Sequence, residues 1–186
     1  LIRRSSIAGN VDFIFGNGQL LIEDSEIRSR TRKTKLAPGE MHSFISAPST
    51  QLSQRLGIVI YRSRLTRERG VPDGSVALGR PWHPTTTFPD GRYADPEAVG
   101  YAVFIDCRMD AHIHPQRWTT MNGTARDGSK TAVFRPQDSR FADVGSRGPA
   151  APKVDIGMAW SEKLGIDEIK ALFFAGWSAR ERMSLK

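Results

Sequence analysis

Residues 20–27 read LLIEDSEI, residues 58–65 read IVIYRSRL, and residues 102–109 read AVFIDCRM. The three superimpose without gaps at offsets of 38 and 44 residues. Each opens with an apolar cluster and then places a small residue (Ser25, Ser63, Cys107) two positions before an apolar one (Ile27, Leu65, Met109). Each also follows a further short apolar stretch, VDFIF at 11–15, SFISA at 43–47 and VALG at 76–79. Turn signals separate the stretches: GNG at 16–18, APST at 47–50 and GRPWHP at 79–84. The unit is therefore strand, turn, strand and a variable polar loop. Strands that cannot bury their own faces must stack, and the stack then supplies the core. This predicts an all-β protein, a parallel β-helix with an apolar interior. A β-sandwich is the alternative that periodicity leaves open. The uneven period and long insertions fit a coil whose loops leave one side.

Helical periodicity is absent until the C-terminus. The Gly/Pro-rich stretch GSRGPAAPK at 145–153 reads as a linker, which divides the chain into coil rungs over 1–145 and a tail over 146–186. In SEKLGIDEIKALFFAG at 161–176, apolar residues at Leu164, Ile166, Ile169, Leu172 and Phe173 predict a short helix packing back on the coil. Asp167 is its candidate cap and Gly176 its candidate stop. The long segment HPTTTFPDGRYADPEAVG at 83–100 reads as a loop, either a binding lid or a solvated insertion.

The chain has 186 residues, 39% of them hydrophobic and 25% charged, as in an ordinary globular protein with one sizeable core. No apolar run approaches the roughly 20 residues of a membrane-spanning helix. The 27 Lys+Arg against 20 Asp+Glu give a net charge of +7, which favours acidic partners, either nucleic acid or an acidic polysaccharide. The basic residues are scattered, and no helix-turn-helix, zinc-finger or RNP signature accompanies them. The lone Cys107 cannot pair within the chain and reads as a small buried hydrophobe. His42, His83, His112 and His114 show no HExxH or paired-Cys spacing, so the residues give metal binding little support.

Two residues stand out as chemistry. Asp12 lies inside an apolar run, where a carboxylate is costly unless paired. Strand alternation alone would turn it outward, with Val11 and Phe13 facing the other way. Arg80 lies near a strand end in LGRPWHP, followed by Pro81 and Trp82. In a coil, two rungs at about 4.8 Å each separate the Asp12 and Arg80 repeats by roughly 10 Å, a span a bidentate Arg–carboxylate pair can bridge.

GNVDFIFG at 9–16 resembles the pectin methylesterase signature around the nucleophilic aspartate, and LGRPW at 78–82 resembles the arginine and tryptophan motif of the same family. ISAPST at 45–50, GRPWHPTTTF at 79–88, DGRYADP at 90–96 and QDSRF at 137–141 resemble its bacterial, enterobacterial-type branch. The resemblance runs in order from about residue 5 to residue 145. It implies a right-handed parallel β-helix, in agreement with the repeat. It implies Asp12 as nucleophile and Arg80 as its orienting partner. Phe15 and Trp82 would line a sugar cleft, with Arg32, Thr85, Trp118 and Met121 as further substrate contacts. Phe44 stands where bacterial members tend to have tyrosine, a change that loses a hydroxyl and keeps the ring. The implied mechanism is covalent and needs no cofactor: Asp12 attacks the C6 carbonyl of a methylated galacturonate, a second aspartic acid protonates methanol, and glutamines hold the oxyanion.

The resemblance places that second aspartate and the glutamines ahead of GNVDFIFG. The eleven residues before Asp12 contain no Asp, Glu or Gln, so the expectation is the C-terminal portion of a longer enzyme, with little activity in isolation. The expected partner is methylated homogalacturonan (pectin), with no nucleic acid and no membrane span. A monomer is expected, secreted or at the cell envelope (extracellular, periplasmic or outer-membrane associated). Competing readings are a β-helix (thio)esterase for another acyl group, a non-catalytic pectin-binding module, and a nucleic-acid binder drawn by the +7 charge.

Overall fold

The computed structural model describes residues 1–37, 39–150 and 165–178, together with the backbone of Ile156 and Gly157. Leu164 and the linker residues 151–153 lie outside the described residues. The chain winds as a parallel β-helix. The first rung holds β1 (Ile2–Arg3), β2 (Ser6–Gly9) and β3 (Val11–Gly16). The second holds β4 (Leu20–Glu23), β5 (Glu26–Ser29) and β6 (Ser43–Pro48), and the third β7 (Ile58–Tyr61), β8 (Arg64–Arg67) and β9 (Val76–Gly79). A hairpin of β10 (Thr85–Phe88) and β11 (Gly91–Ala94) then leaves the coil. The fourth rung follows with β12 (Tyr101–Ile105) and β13 (Arg108–Met109), and a second hairpin with β14 (Met121–Gly123) and β15 (Ala132–Phe134). The fifth rung begins with β16 (Arg140–Val144), against which β17 (Ile156–Gly157) pairs antiparallel. The last element is helix α1 (Ile166–Phe173).

Three sheets result, ordered β1-β4-β7-β12-β16-β17, β13-β8-β5-β2 and β3-β6-β9. Their register is the one the repeat predicts: Leu20 pairs Ile58 and Ile58 pairs Ala102, while Glu26 pairs Arg64 and Arg64 pairs Arg108. The bends between the first two sheets explain the small residue of the repeat. At each bend one residue takes a left-handed conformation, namely Arg4, Asp24, Arg62, Asp106 and Gly145. The next residue is Ser5, Ser25, Ser63, Cys107 or Ser146, of which Ser25, Ser63 and Cys107 are buried. The Ser5 amide donates to Ser25 Oγ (3.1 Å), the Ser25 amide to Ser63 Oγ (3.2 Å), and the Cys107 amide to Ser146 Oγ (3.3 Å). Bend amides cannot join a strand ladder, and this column of hydroxyls satisfies them inside the core. The repeat thus has five copies where the sequence shows three. The first, LIRRSSI, keeps only Leu1 and Ile2 of the apolar cluster ahead of its bend, and the fifth, FADVGSR, places Asp143 where Phe104 stands in the fourth. Cys107 takes the serine position, buried, and desolvation pushes its thiol up to about 12, so it stays protonated.

Alternation along the strands divides two cores. Ile22, Ile60 and Phe104 face inward with Ile27, Leu65 and Met109 and fill the coil. Leu21, Val59, Val103 and Ala142 face outward and are covered by Ile169 and Phe173 of α1. Buried Glu23 adds a charged anchor, ion-paired to Arg3 and to Lys170 of α1 (2.9 Å). Burial would raise its carboxyl, but the hydrogen bonds and charges of Lys170 and Arg3 outweigh that and hold it below its ordinary value. The helix is capped at Gly165, two residues before the expected cap Asp167, and Glu168 reaches back to accept the Gly165 amide at 2.8 Å. The segment 83–100 differs from the expected loop. The run Thr85–Phe88 and the strand Gly91–Ala94 flank a Pro89-Asp90 turn, and β-branched residues beside a turn signal are hairpin formers.

His112 is fully buried beside the third rung, and desolvation, with the nearby positive charge of Arg67, lowers it to about 4. Above pH 6.5 it is neutral folded and unfolded, so it contributes nothing to pH dependence. As pH falls from 6.5 towards 4, the unfolded chain takes up a proton that the folded chain refuses, and stability is lost. Urea unfolding between pH 7 and pH 4 checks this. His112→Leu should flatten the pH slope in that window by the uptake of about one proton.

Candidate active site

Asp12, Phe44 and Arg80 belong to successive rungs of the β3-β6-β9 sheet and the turn that follows it. Register in the first pair slips: Val11 pairs Phe44, but Ile14 pairs Ser46, so β3 carries one extra residue against β6. Asp12 sits in this bulge with φ 51°, a left-handed conformation uncommon outside glycine. The bulge overrides alternation. Val11 and Asp12, expected on opposite faces, line one cleft together.

Arg80 leaves the end of β9 with its amide donating to the Ser46 carbonyl (3.1 Å). The preceding Gly79 permits this approach, since a Cβ there would lie 2.3 Å from Ser46 Oγ and 2.9 Å from the Ser46 carbonyl oxygen. The guanidinium reaches back two rungs. Nε donates to Asp12 Oδ1 at 3.0 Å and Nη2 to Oδ2 at 2.6 Å, a bidentate pair with both side chains about four-fifths buried. Its Cζ lies 3.9 Å from the centre of the Phe44 ring.

The cleft beside this pair measures about 310 Å³ and is lined by Val11, Asp12, Phe15, Ala47, Trp82 and Met121. Phe15, 66% exposed, meets Trp82 edge to face at 5.8 Å between ring centres. Aromatic faces next to a fixed carboxylate suit a ligand with both apolar ring faces and polar edges. His83, next to Trp82, stacks on Phe134 of the second hairpin (3.7 Å, 13° between planes), and its Nδ1–H donates to the Asp95 carbonyl (2.7 Å). Burial holds His83 below its ordinary pKa, so it is a neutral strut between cleft wall and hairpin.

The other expected contacts divide. Met121 lines the cleft. Thr85 opens the first hairpin, its hydroxyl 2.8 Å from that of Thr124, which also receives the Lys130 ammonium at 2.6 Å. Thr85 and Arg32 are not among the residues lining the cleft; Arg32 donates to the His42 carbonyl (3.3 Å). Trp118 requires a correction. It is only 4% exposed, stacked on Phe141 at 4.7 Å and edge-on to Phe104 at 5.8 Å. A parallel bridge to Gly79 draws its backbone against the third rung, and the indole fills the coil interior instead of the cleft. Sequence reasoning missed Val11 and Ala47 as cleft residues. Ala47 lies within the quoted ISAPST motif, but only the stacking of β3 on β6 shows which of its residues reaches the cleft.

A family model described as Pectinesterase matches residues 1–136. The chain belongs to the pectinesterase family. It is 47% identical over 142 residues to pectinesterase A of Dickeya chrysanthemi, an alignment covering 76% of this chain and 38% of that protein. The pectin methylesterase from Yersinia enterocolitica superimposes with a TM-score of 0.81 at 43% identity, over 95% of this chain and 53% of that one. A pectin methylesterase solved in complex with a hexasaccharide gives a TM-score of 0.82 at 38% identity, over 95% and 51%. The chain thus spans about two fifths of the curated pectinesterase and about half of these solved structures.

The two tryptophans separate core from cleft. Trp118→Ala should cost about 3–5 kcal/mol in urea unfolding, as for a large aromatic removed from a core. Trp82→Ala, on the cleft rim, should cost well under half of that.

Proposed function

We propose that this protein acts in the hydrolysis of galacturonate methyl esters in pectin, giving pectate and methanol, with Asp12 as nucleophile. The observation that carries this reading is the bidentate Arg80–Asp12 pair at an aromatic-walled cleft. Arg80 fixes the plane of the Asp12 carboxylate, while each oxygen keeps a further lone pair for attack. One Asp12 oxygen adds to the ester C6 carbonyl. The tetrahedral adduct collapses to an anhydride between Asp12 and the sugar, and methoxide leaves with a proton as methanol. Water then adds to the galacturonyl carbon and returns Asp12 as carboxylate. The acid that protonates methanol, the base that activates water and the oxyanion donors are assigned to the aspartate and glutamines that the family resemblance places ahead of GNVDFIFG. Phe15 and Trp82 offer ring faces to pyranose units, and Met121 closes the same cleft. The +7 charge suits a substrate that gains carboxylates as it reacts. A pectin substrate places the protein outside the cytoplasm, secreted or at the cell envelope.

Methanol release from highly methylated pectin tests the proposal. It is measured for this chain, and for the chain preceded by the N-terminal half of the Yersinia enterocolitica enzyme. Asp12→Asn should reduce release to the uncatalysed background in whichever form is active, and Arg80→Lys should lower kcat at least tenfold. Full activity in Asp12→Asn would remove the nucleophile assignment.

A further inference from the structure

We propose that Phe44 is the positioning residue for Arg80, holding the guanidinium in the plane from which it grips Asp12. This rests on the esterase reading of Asp12. The register gives the reason. Asp12 lies on the first rung, Arg80 follows the third, and the middle rung between them presents Phe44, paired with Val11 on one side and Ala77 on the other. The arginine must cross that rung to reach the carboxylate. Its Cζ lies 3.9 Å from the Phe44 ring centre, within the range of direct contact between a guanidinium and an aromatic face. The negative ring face attracts the cation, and a flat guanidinium on a flat ring leaves its N–H edge free for the carboxylate. Both edge bonds to Asp12 are made.

Phe44 carries no polar side-chain group and is not among the residues lining the cleft, so among the described residues its route to the reaction is the Arg80 guanidinium. The Arg80 backbone is held by Ser46 on the same middle strand, so backbone and side chain both take their position from β6. A leucine there would fill space without a face, and the long side chain would sample other rotamers at the cost of the two-point grip on Asp12.

The test compares Phe44→Leu, Phe44→Met and Phe44→Tyr with the unchanged chain. The first readout needs no activity: the proton and nitrogen resonances of Arg80 Nε–H. A ring-current displacement should be present in the unchanged chain and in Phe44→Tyr, and absent in Phe44→Leu and Phe44→Met. The second is methanol release by whichever form is active. Phe44→Leu and Phe44→Met should lower kcat about tenfold with KM nearly unchanged, and Phe44→Tyr should restore it. An Arg80 resonance or a kcat unaltered in Phe44→Leu and Phe44→Met overturns the positioning role. So does a Phe44→Tyr variant as impaired as Phe44→Leu, or a loss confined to KM. Asp12→Asn, assayed alongside, separates the two ideas: if it stays active the esterase reading fails, and if it is inactive while Phe44→Leu is unimpaired only the present inference fails.

Discussion

The parallel hydrogen-bond ladder that joins Glu26 to Arg64 and Arg64 to Arg108 fixes the height of every rung on the one before it. Rung spacing is set by backbone hydrogen bonds at about 4.8 Å, whatever the side chains are. Residues far apart in sequence therefore meet at distances known in advance. Asp12 and Arg80, 68 positions apart, are two rungs apart in space, a separation that the arginine side chain spans with two N–H groups left to grip one carboxylate. The serine column at the bends protects this spacing. It gives the bend amides partners inside the core, so bends stack as regularly as strands.

Where the ladder is interrupted, the site appears. The extra residue in β3 turns Asp12 and Val11 to one side, and the left-handed backbone at Asp12 is held by rungs that pack around it. The hairpins of β10-β11 and β14-β15 leave the coil near this interruption. They are joined by the Thr85–Thr124 hydroxyl contact, the Asp90–Arg126 ion pair (2.6 Å) and the His83–Phe134 stack, and they bring Met121 to the cleft. A regular stack thus serves as scaffold and its irregularities as chemistry, which is how rigid repeats generally carry binding loops. The proposed nucleophile, its arginine and the ring beneath that arginine come one from each of three neighbouring rungs. Their geometry is consequently as rigid as the ladder itself.

Much of this is legible in the sequence. The offsets of 38 and 44 residues gave the register of the second, third and fourth rungs, because ladder pairing preserves a short apolar pattern copy by copy. The first and fifth copies escaped, since LIRRSSI shows only two apolar residues ahead of its bend and FADVGSR interrupts its apolar cluster with Asp143. The hairpin at 85–94 also escaped, although a threonine run beside Pro89-Asp90-Gly91 is a local signal for one. Asp12, Arg80, Phe15, Trp82 and Met121 were identified by resemblance and come together in space. Trp118 was assigned with them and lies in the core.

The sequence by itself determined the register of the middle rungs, because that depends on a pattern written within each copy of the repeat, while two single-copy motifs, GNVDFIFG and LGRPW, carried the resemblance to the family, its coil and the Asp12–Arg80 pair. Tertiary structure alone decided the rest. The bulge that puts Val11 beside Asp12, the inward turn of Trp118 under Gly79 and the seat of Arg80 on Phe44 each depend on a neighbour one or two rungs away. Side-chain direction at such points is set by what the adjacent rung leaves open, and alternation along a single strand carries no record of that.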